Sequence, residues 1–110
     1  EGGIIYKPAS DHSHMEFIDV DKFKSNMDEY HIIDIRNQSE FKSDQFFDQA
    51  INIPLHELRE RVEEIPTDKP IIVHCAGGYR SAAGSSIVNN ELGKKTKVFD
   101  LGDNVKEFQS

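Results

Sequence analysis

The chain has 110 residues, a net charge of -7 and a single cysteine, with 36% hydrophobic and 30% charged residues. This length and balance are typical of one folded globular domain that needs no disulfide or metal to hold it together. The negative charge disfavours nucleic acid as a partner, because such binding rests on cationic side chains. One cysteine also excludes an internal disulfide and a thiol-rich metal cage, so we expect no metal and no cofactor.

The apolar runs are short, as in Ile71-Ile72-Val73, whereas a membrane-spanning helix needs about 20 apolar residues. The first residues contain no basic stretch followed by an apolar core, which is the pattern of an export signal. We therefore expect no membrane partner and a cytoplasmic location.

Residues 1–15 mix glycine, proline, serine and histidine without periodicity, and we interpret them as an extended lead-in to a domain of residues 16–110. Strand and helix patterns then alternate along the domain. The predicted strands are 16–18, 31–36, 50–53, 70–74 and 98–99. The predicted helices begin at Asp19, cover 55–65 and 81–92, and end with a turn at 103–108, with one further helical turn inside the polar stretch 37–49.

This alternation predicts an α/β domain with a central, mainly parallel sheet of about five strands flanked by helices. In helix 81–92 we expect Ala83, Ile87 and Val88 to point towards the core, with Gly93 ending the helix.

The most informative segment is Cys75 to Ser81 (CAGGYRS), which follows the apolar strand 70–74 and precedes a helix. Ligands of open parallel sheets bind beyond the carboxyl ends of the strands, where Cys75 stands. The unpaired N–H groups at the start of a helix favour a negative charge, and Gly77 and Gly78 allow the loop to curl into an anion nest. Arg80 adds a permanent cation.

A lone cysteine after an apolar strand is often only a small packed side chain. At Cys75, however, glycines, an arginine and a helix start all follow within six residues. These surroundings lower the pKa of a thiol and favour the thiolate, which is the nucleophilic form. We therefore predict that Cys75 is a reactive residue.

The loop from Cys75 to Ser81 resembles the active-site loop of rhodanese-like sulfurtransferases. Asp34-Ile35-Arg36, followed by Glu40, resembles the Asp-x-Arg signature of that family and its glutamate, and the segment 50–54 resembles its Ala-x-Asn-Ile-Pro strand exit. The amino-acid sequence of the loop is similar to that of rhodanese domains found alone or fused to metallo-β-lactamase-fold persulfide dioxygenases. The resemblance implies a three-layer sandwich and leaves open a fused or partner metallo-β-lactamase-fold domain.

The resemblance also implies roles for individual residues. Cys75 would be the catalytic residue and would hold sulfur from an anionic donor, thiosulfate or a persulfide, as its own persulfide until a thiol or cyanide accepts it. The substrate-binding residues would be those of the loop, Ala76, Gly77, Gly78, Tyr79 and Arg80, with Tyr79 pointing outwards to shape the entrance. Asp34, Arg36 and Glu40 would support the site through an arginine–carboxylate pair beside the loop.

Two other functions fit the sequence. Cysteine phosphatases and arsenate reductases also place His-Cys before a loop that ends in arginine, but they have five residues between cysteine and arginine, whereas this chain has four. The shorter loop favours one sulfur atom over a tetrahedral oxyanion. A rhodanese-fold binding or regulatory module without turnover is the second alternative, although inactive members of the family generally lack the cysteine.

Overall fold

A computed structural model describes residues 16–108, with the main chain alone for Glu16 and Phe17. The predicted lead-in, residues 1–15, lies outside the described residues. The five strands form one sheet in the order β1-β5-β4-β2-β3, and every neighbouring pair is parallel. The strands are β1 Glu16–Phe17, β2 His31–Asp34, β3 Ile51–Asn52, β4 Ile71–His74 and β5 Val98–Asp100.

The helices lie between the strands, as the sequence predicts. They are α1 Val20–Ser25, α2 Gln38–Ser43, α3 Leu58–Arg61 and α4 Tyr79–Leu92, with 3-10 turns at Met27–Glu29, Leu55–Glu57, Val62–Glu64 and Gly102–Phe108. The single helix predicted over 55–65 is wrong, since α3 is flanked by two 3-10 turns. Consecutive short turns bury one side just as a continuous helix does, so the apolar spacing could not distinguish them.

The sheet separates two apolar clusters because alternate residues of a strand face opposite sides. Ile33 of β2 belongs to the cluster under α3 and α4, whereas its neighbour Ile32 belongs to the cluster on the other face. That second cluster includes Phe23 of α1 and Val105 of the last 3-10 turn. The three-layer sandwich with a central parallel sheet is therefore confirmed.

Small residues bring α4 close to the sheet. Its buried residues are Ser81, Gly84, Ser85, Val88 and Leu92. A Cβ added to Gly84 would lie 2.5 Å from the Cδ1 atom of Ile35, so a larger residue here would push α4 away from the side chains under it. Ala83, which we predicted to point inwards, is exposed. That prediction is wrong because it followed apolar residues only, while the contact face of α4 is built from glycine and serine as well.

Candidate active site

Cys75 lies at the carboxyl end of β4, the central strand of the sheet. The main chain turns through Ala76 and Gly77 to Gly78, and α4 begins at Tyr79. We predicted this helix to begin at Ser81, so the sequence placed its start two residues too late. Ser81 is the third residue of α4, so its N–H group is among the donors of the first turn that have no partner within the helix.

The sulfur of Cys75 accepts two main-chain hydrogen bonds. The Gly78 N–H donates to Sγ with an N···S distance of 3.1 Å, and the Ser81 N–H donates with a distance of 3.3 Å. The Cys75 residue is fully buried, so these donors replace the water that would otherwise solvate a thiolate. The sequence predicted donors from the loop and missed Ser81. Counting the unpaired N–H donors of the first helical turn would have found it, since Ser81 is among them whether the helix begins at Tyr79 or at Ser81.

Opposing effects set the pKa of Cys75, and the net result is a lowered value. Burial raises the pKa, because removal from water disfavours the thiolate. Hydrogen bonds from the amides of Gly77, Ser81 and Gly78, and from the Ser81 hydroxyl, lower it. The site therefore stabilises the nucleophilic thiolate relative to the thiol more than water does, even though the sulfur is buried.

Gly78 is the position of the loop that only glycine fits. Its φ is +97°, in the left-handed region that disfavours side chains. A Cβ at Gly78 would also lie 2.7 Å from the Asp103 nitrogen and 2.7 Å from the Gly102 carbonyl carbon. Gly77 differs, since a Cβ there would have no neighbour within 4 Å. The active-site loop is thus fitted against the turn that follows β5.

Arg80 forms a two-point ion pair with Glu40 of α2. Its Nη1 and Nη2 atoms lie 2.8 and 3.1 Å from Oε1 and Oε2 of Glu40. The Asn37 N–H donates to the same carboxylate at 2.9 Å, as part of the capping box of α2. The Arg80 hydrogen bond is the main reason that the pKa of Glu40 falls to about 2, and the Glu40 hydrogen bond raises the pKa of Arg80.

Asp34 and Arg36 form a second pair, which does not include Glu40. The Arg36 Nη2 atom lies 2.7 Å from Asp34 Oδ2, and both side chains are buried. The same nitrogen donates to the Asp44 carbonyl oxygen at 2.7 Å, which ties the end of α2 to β2. The three predicted supporting residues therefore do not form one group. Glu40 pairs with Arg80 of the active-site loop, whereas Asp34 and Arg36 pair with each other.

His74 precedes Cys75 and faces the opposite side of the sheet. Its ring is fully buried and packs against Phe46 and Phe47. The Nδ1 atom lies 3.2 Å from the Cys75 carbonyl oxygen, while Nε2 has no hydrogen-bond partner within residues 16–108 and lies 3.7 Å from Asp34 Oδ2. Burial lowers the pKa of His74, so the neutral ring is favoured.

The remaining loop residues lie at the surface. Tyr79 is 93% exposed, Gly77 is exposed and Ala76 is half-buried. Between residues 16 and 108, no group of three or more histidine, cysteine, aspartate or glutamate side chains is arranged to hold a metal ion. Over the same residues, no helix has both the length and the apolar character required to cross a membrane.

The class of domain is defined by two features together. One is the parallel α/β sheet, and the other is a cysteine between the central strand and a helix whose sulfur accepts hydrogen bonds from main-chain N–H groups. Residues 19–110 match the profile of the rhodanese-like domain, and the chain belongs to this family.

Three relatives place the chain more closely. YqhL of Bacillus subtilis, an uncharacterized protein, is 30% identical over 109 residues, which are 96% of this chain and 83% of YqhL. A rhodanese-related protein of Thermoplasma volcanium has a similar structure, with a TM-score of 0.69 and 28% identity over 84% of this chain and 88% of its own. A sulfurtransferase of Allochromatium vinosum is 34% identical over 50 residues, which are 46% of each protein.

Proposed function

We propose that this chain is a sulfurtransferase in which Cys75 accepts a sulfane sulfur from an anionic donor and passes it to a second nucleophile. The observation that carries the proposal is the pair of N–H groups, from Gly78 and Ser81, that lie 3.1 and 3.3 Å from the Cys75 sulfur. The sulfurtransferase of Allochromatium vinosum, matched over 46% of its length, supports this reaction class.

In the first half-reaction, the Cys75 thiolate attacks the outer sulfur of thiosulfate or of a persulfide. A bond forms between the two sulfurs, and the bond that joined the outer sulfur to the rest of the donor breaks. The electron pair of the broken bond leaves with sulfite or with the donor thiolate. Cys75 then carries a persulfide anion, and no external oxidant or reductant is consumed.

In the second half-reaction, cyanide or a thiolate attacks the outer sulfur of this persulfide. The new bond joins that sulfur to the acceptor, and the bond to Cys75 breaks. The product is thiocyanate or an acceptor persulfide. The electron pair returns to Cys75 as a thiolate, which the amides of Gly78 and Ser81 stabilise again as they did before the first step.

In the second half-reaction Cys75 is the leaving group, and the loop amides act on its developing negative charge in the way that an oxyanion hole does. They are fixed by the start of α4, so they need not reorganise when charge appears on sulfur. In acyl-transfer enzymes, one well-placed donor of this kind lowers the barrier of the reaction by roughly 2.7–4 kcal/mol. We expect a similar order of effect for the donors to Cys75.

Arg80 would attract the negative charge of the donor, with Glu40 limiting that attraction. The two side chains are 34% and 35% exposed, so an incoming anion can reach the guanidinium. Because the carboxylate of Glu40 already occupies two N–H groups of Arg80, an anionic donor would have to compete with it or bind beside it.

The proposal is tested by mixing the protein with thiosulfate or glutathione persulfide and measuring its mass. We expect the wild type to gain the mass of one sulfur atom and to lose it when cyanide is added, with thiocyanate as the product. Cys75→Ser should do neither. A wild type that binds the donors without any gain of mass would instead support a non-catalytic binding module.

The same pair of proteins distinguishes sulfur transfer from phosphatase chemistry. With an aryl phosphate as substrate we expect no turnover by either protein. Turnover by the wild type that disappears in Cys75→Ser would contradict the proposal and favour a cysteine phosphatase.

A further inference from the structure

His74 is a buried polar side chain in a part of the core that contains several aromatic rings. It is the last residue of β4, and its carbonyl oxygen accepts the Ile35 N–H at 3.0 Å. Its ring packs against Phe46 and Phe47, with centroid distances of 5.8 and 4.9 Å. The two half-reactions of sulfur transfer make no use of this side chain, although it belongs to the residue directly before the nucleophile.

The two ring nitrogens of His74 have different surroundings. Nδ1 lies 3.2 Å from the carbonyl oxygen of Cys75. A carbonyl oxygen can only accept a hydrogen bond, so Nδ1 must carry the proton of the neutral ring. Nε2 then offers only its lone pair, and it has no hydrogen-bond partner among residues 16–108. The contacts therefore select one tautomer, whose single N–H group is directed at the main chain of Cys75.

The unpaired Nε2 atom makes histidine an expensive choice at this position. A buried polar atom without a hydrogen bond costs stability. Asp34 Oδ2 lies 3.7 Å from Nε2, which is longer than a hydrogen bond, and this carboxylate is bonded to Arg36 instead. A phenylalanine would fill the same aromatic space without this cost. What histidine adds is the Nδ1–H donor, and a local cost of this kind is expected where a residue serves function.

The Cys75 carbonyl belongs to the first peptide of the active-site loop. This peptide is trans, so its carbonyl and its N–H group point in opposite directions, and the N–H group is directed away from the His74 ring. The middle of the loop is open, since Gly77 is exposed and a Cβ there would have no neighbour within 4 Å. The far end is held where Gly78 fits against the turn at Gly102–Asp103. The hydrogen bond from His74 holds the near end.

We propose that His74 is a positioning residue for the Cys75 nucleophile, because its Nδ1–H group fixes the first peptide of the loop. The Gly78 N–H, 3.1 Å from the sulfur, depends on the path of the main chain from this peptide onwards. The inference rests on the proposed function for its meaning, since it assigns a determinant of how nucleophilic the sulfur carrier is. His74 acts through the main chain alone, because its ring and the sulfur lie on opposite faces of the sheet.

The first test concerns the tautomer of His74 in the wild-type protein. Long-range 1H–15N correlation spectra distinguish a protonated ring nitrogen from an unprotonated one, and the ring can be assigned through the main-chain signals of His74. At neutral pH we expect the proton on Nδ1 and none on Nε2. A proton on Nε2 alone, or exchange between the two nitrogens, would overturn the proposal. This measurement needs no variant, so it decides the proposal even where a variant fails to fold.

The second test is the pH midpoint of Cys75 alkylation by iodoacetamide, for which the single cysteine makes the label unambiguous. His74→Phe keeps an aromatic ring and removes the donor. The midpoint should therefore rise by roughly 0.5–1 pH unit, or about three- to tenfold in thiolate fraction. His74→Asn places an amide N–H group near the position of Nδ1 and should restore most of the wild-type midpoint.

Phe47→Leu is the matched control for packing. It disturbs the surroundings of the His74 ring and leaves the Nδ1–H donor in place, so its midpoint should equal that of the wild type. The proposal is overturned if His74→Phe leaves the midpoint unchanged, if His74→Asn shifts it as far as His74→Phe does, or if Phe47→Leu reproduces the shift. Neither test uses a sulfur donor, so these outcomes are distinguishable from a failure of the proposed sulfur transfer.

Discussion

Replacing Gly78 by alanine should damage both the stability and the chemistry of this protein. At a φ of +97° an alanine is strained, at a cost of roughly 1–3 kcal/mol. The new Cβ would lie 2.7 Å from two main-chain atoms of Gly102 and Asp103, and overpacking of this kind costs a further ~1–3 kcal/mol. The loss of freedom in the unfolded chain returns only about 0.4–1 kcal/mol. Together these effects predict a loss of about 1–6 kcal/mol in the free energy of unfolding.

The assay is urea denaturation, paired with the pH midpoint of Cys75 alkylation. Because the clash lies at the residue that donates to the sulfur, we expect the midpoint to rise as the free energy of unfolding falls. Gly77→Ala is the matched control, since its Cβ meets nothing within 4 Å and its φ is not positive. It should change stability by less than about 1 kcal/mol, with a gain as the expected sign. A Gly78→Ala protein as stable as the wild type, or a Gly77→Ala protein that is equally damaged, would refute this reasoning.

Three further predictions concern the surroundings of the thiol. Glu40→Gln should lower the KM for thiosulfate, because it frees the guanidinium of Arg80. Loss of an exposed ion pair of this kind should lower the free energy of unfolding by at most about 1 kcal/mol. An unchanged KM in steady-state assays would contradict this role of Glu40. His74 has a pKa lowered by burial, so protonation favours the unfolded state and stability should fall as the pH drops below about 6.5. Urea titrations from pH 7 to 5 should show a smaller fall for His74→Phe, and an equal fall in both proteins would exclude this histidine as the cause. Tyr79→Ala should alter the ratio of the rates with thiosulfate and with glutathione persulfide. The free energy of unfolding should stay within about 0.5 kcal/mol of the wild-type value, because the side chain is exposed. An unchanged ratio of rates would argue against a role of Tyr79 at the entrance to the active site.

The order of strand, loop and helix around Cys75 could be predicted because the signals there are local. An apolar strand, paired glycines and a helix start follow one another between residues 70 and 81, and each can be recognised without knowing the rest of the fold. The parallel sheet follows from the alternation of strands and helices for the same reason.

Contacts between distant residues could not be predicted in this way. Glu40 and Arg80 are 40 positions apart, and Glu40 was grouped with Asp34 and Arg36 because that segment resembles a rhodanese signature. Which arginine a carboxylate meets depends on how α2 and α4 pack, and periodicity carries no information about that.

The fit between Gly78 and the turn at Gly102–Asp103 also bears on when the protein acquires its reactive group during synthesis. The residues that bind the sulfur are complete once Ser81 has been added, but the turn that supports Gly78 follows β5, about twenty positions later. In a chain that has emerged only as far as α4, the loop lacks this support, and we expect its thiol to have an ordinary pKa. We expect the thiolate to be stabilised only after β5 has paired with β4 and the turn at Gly102–Asp103 lies against Gly78.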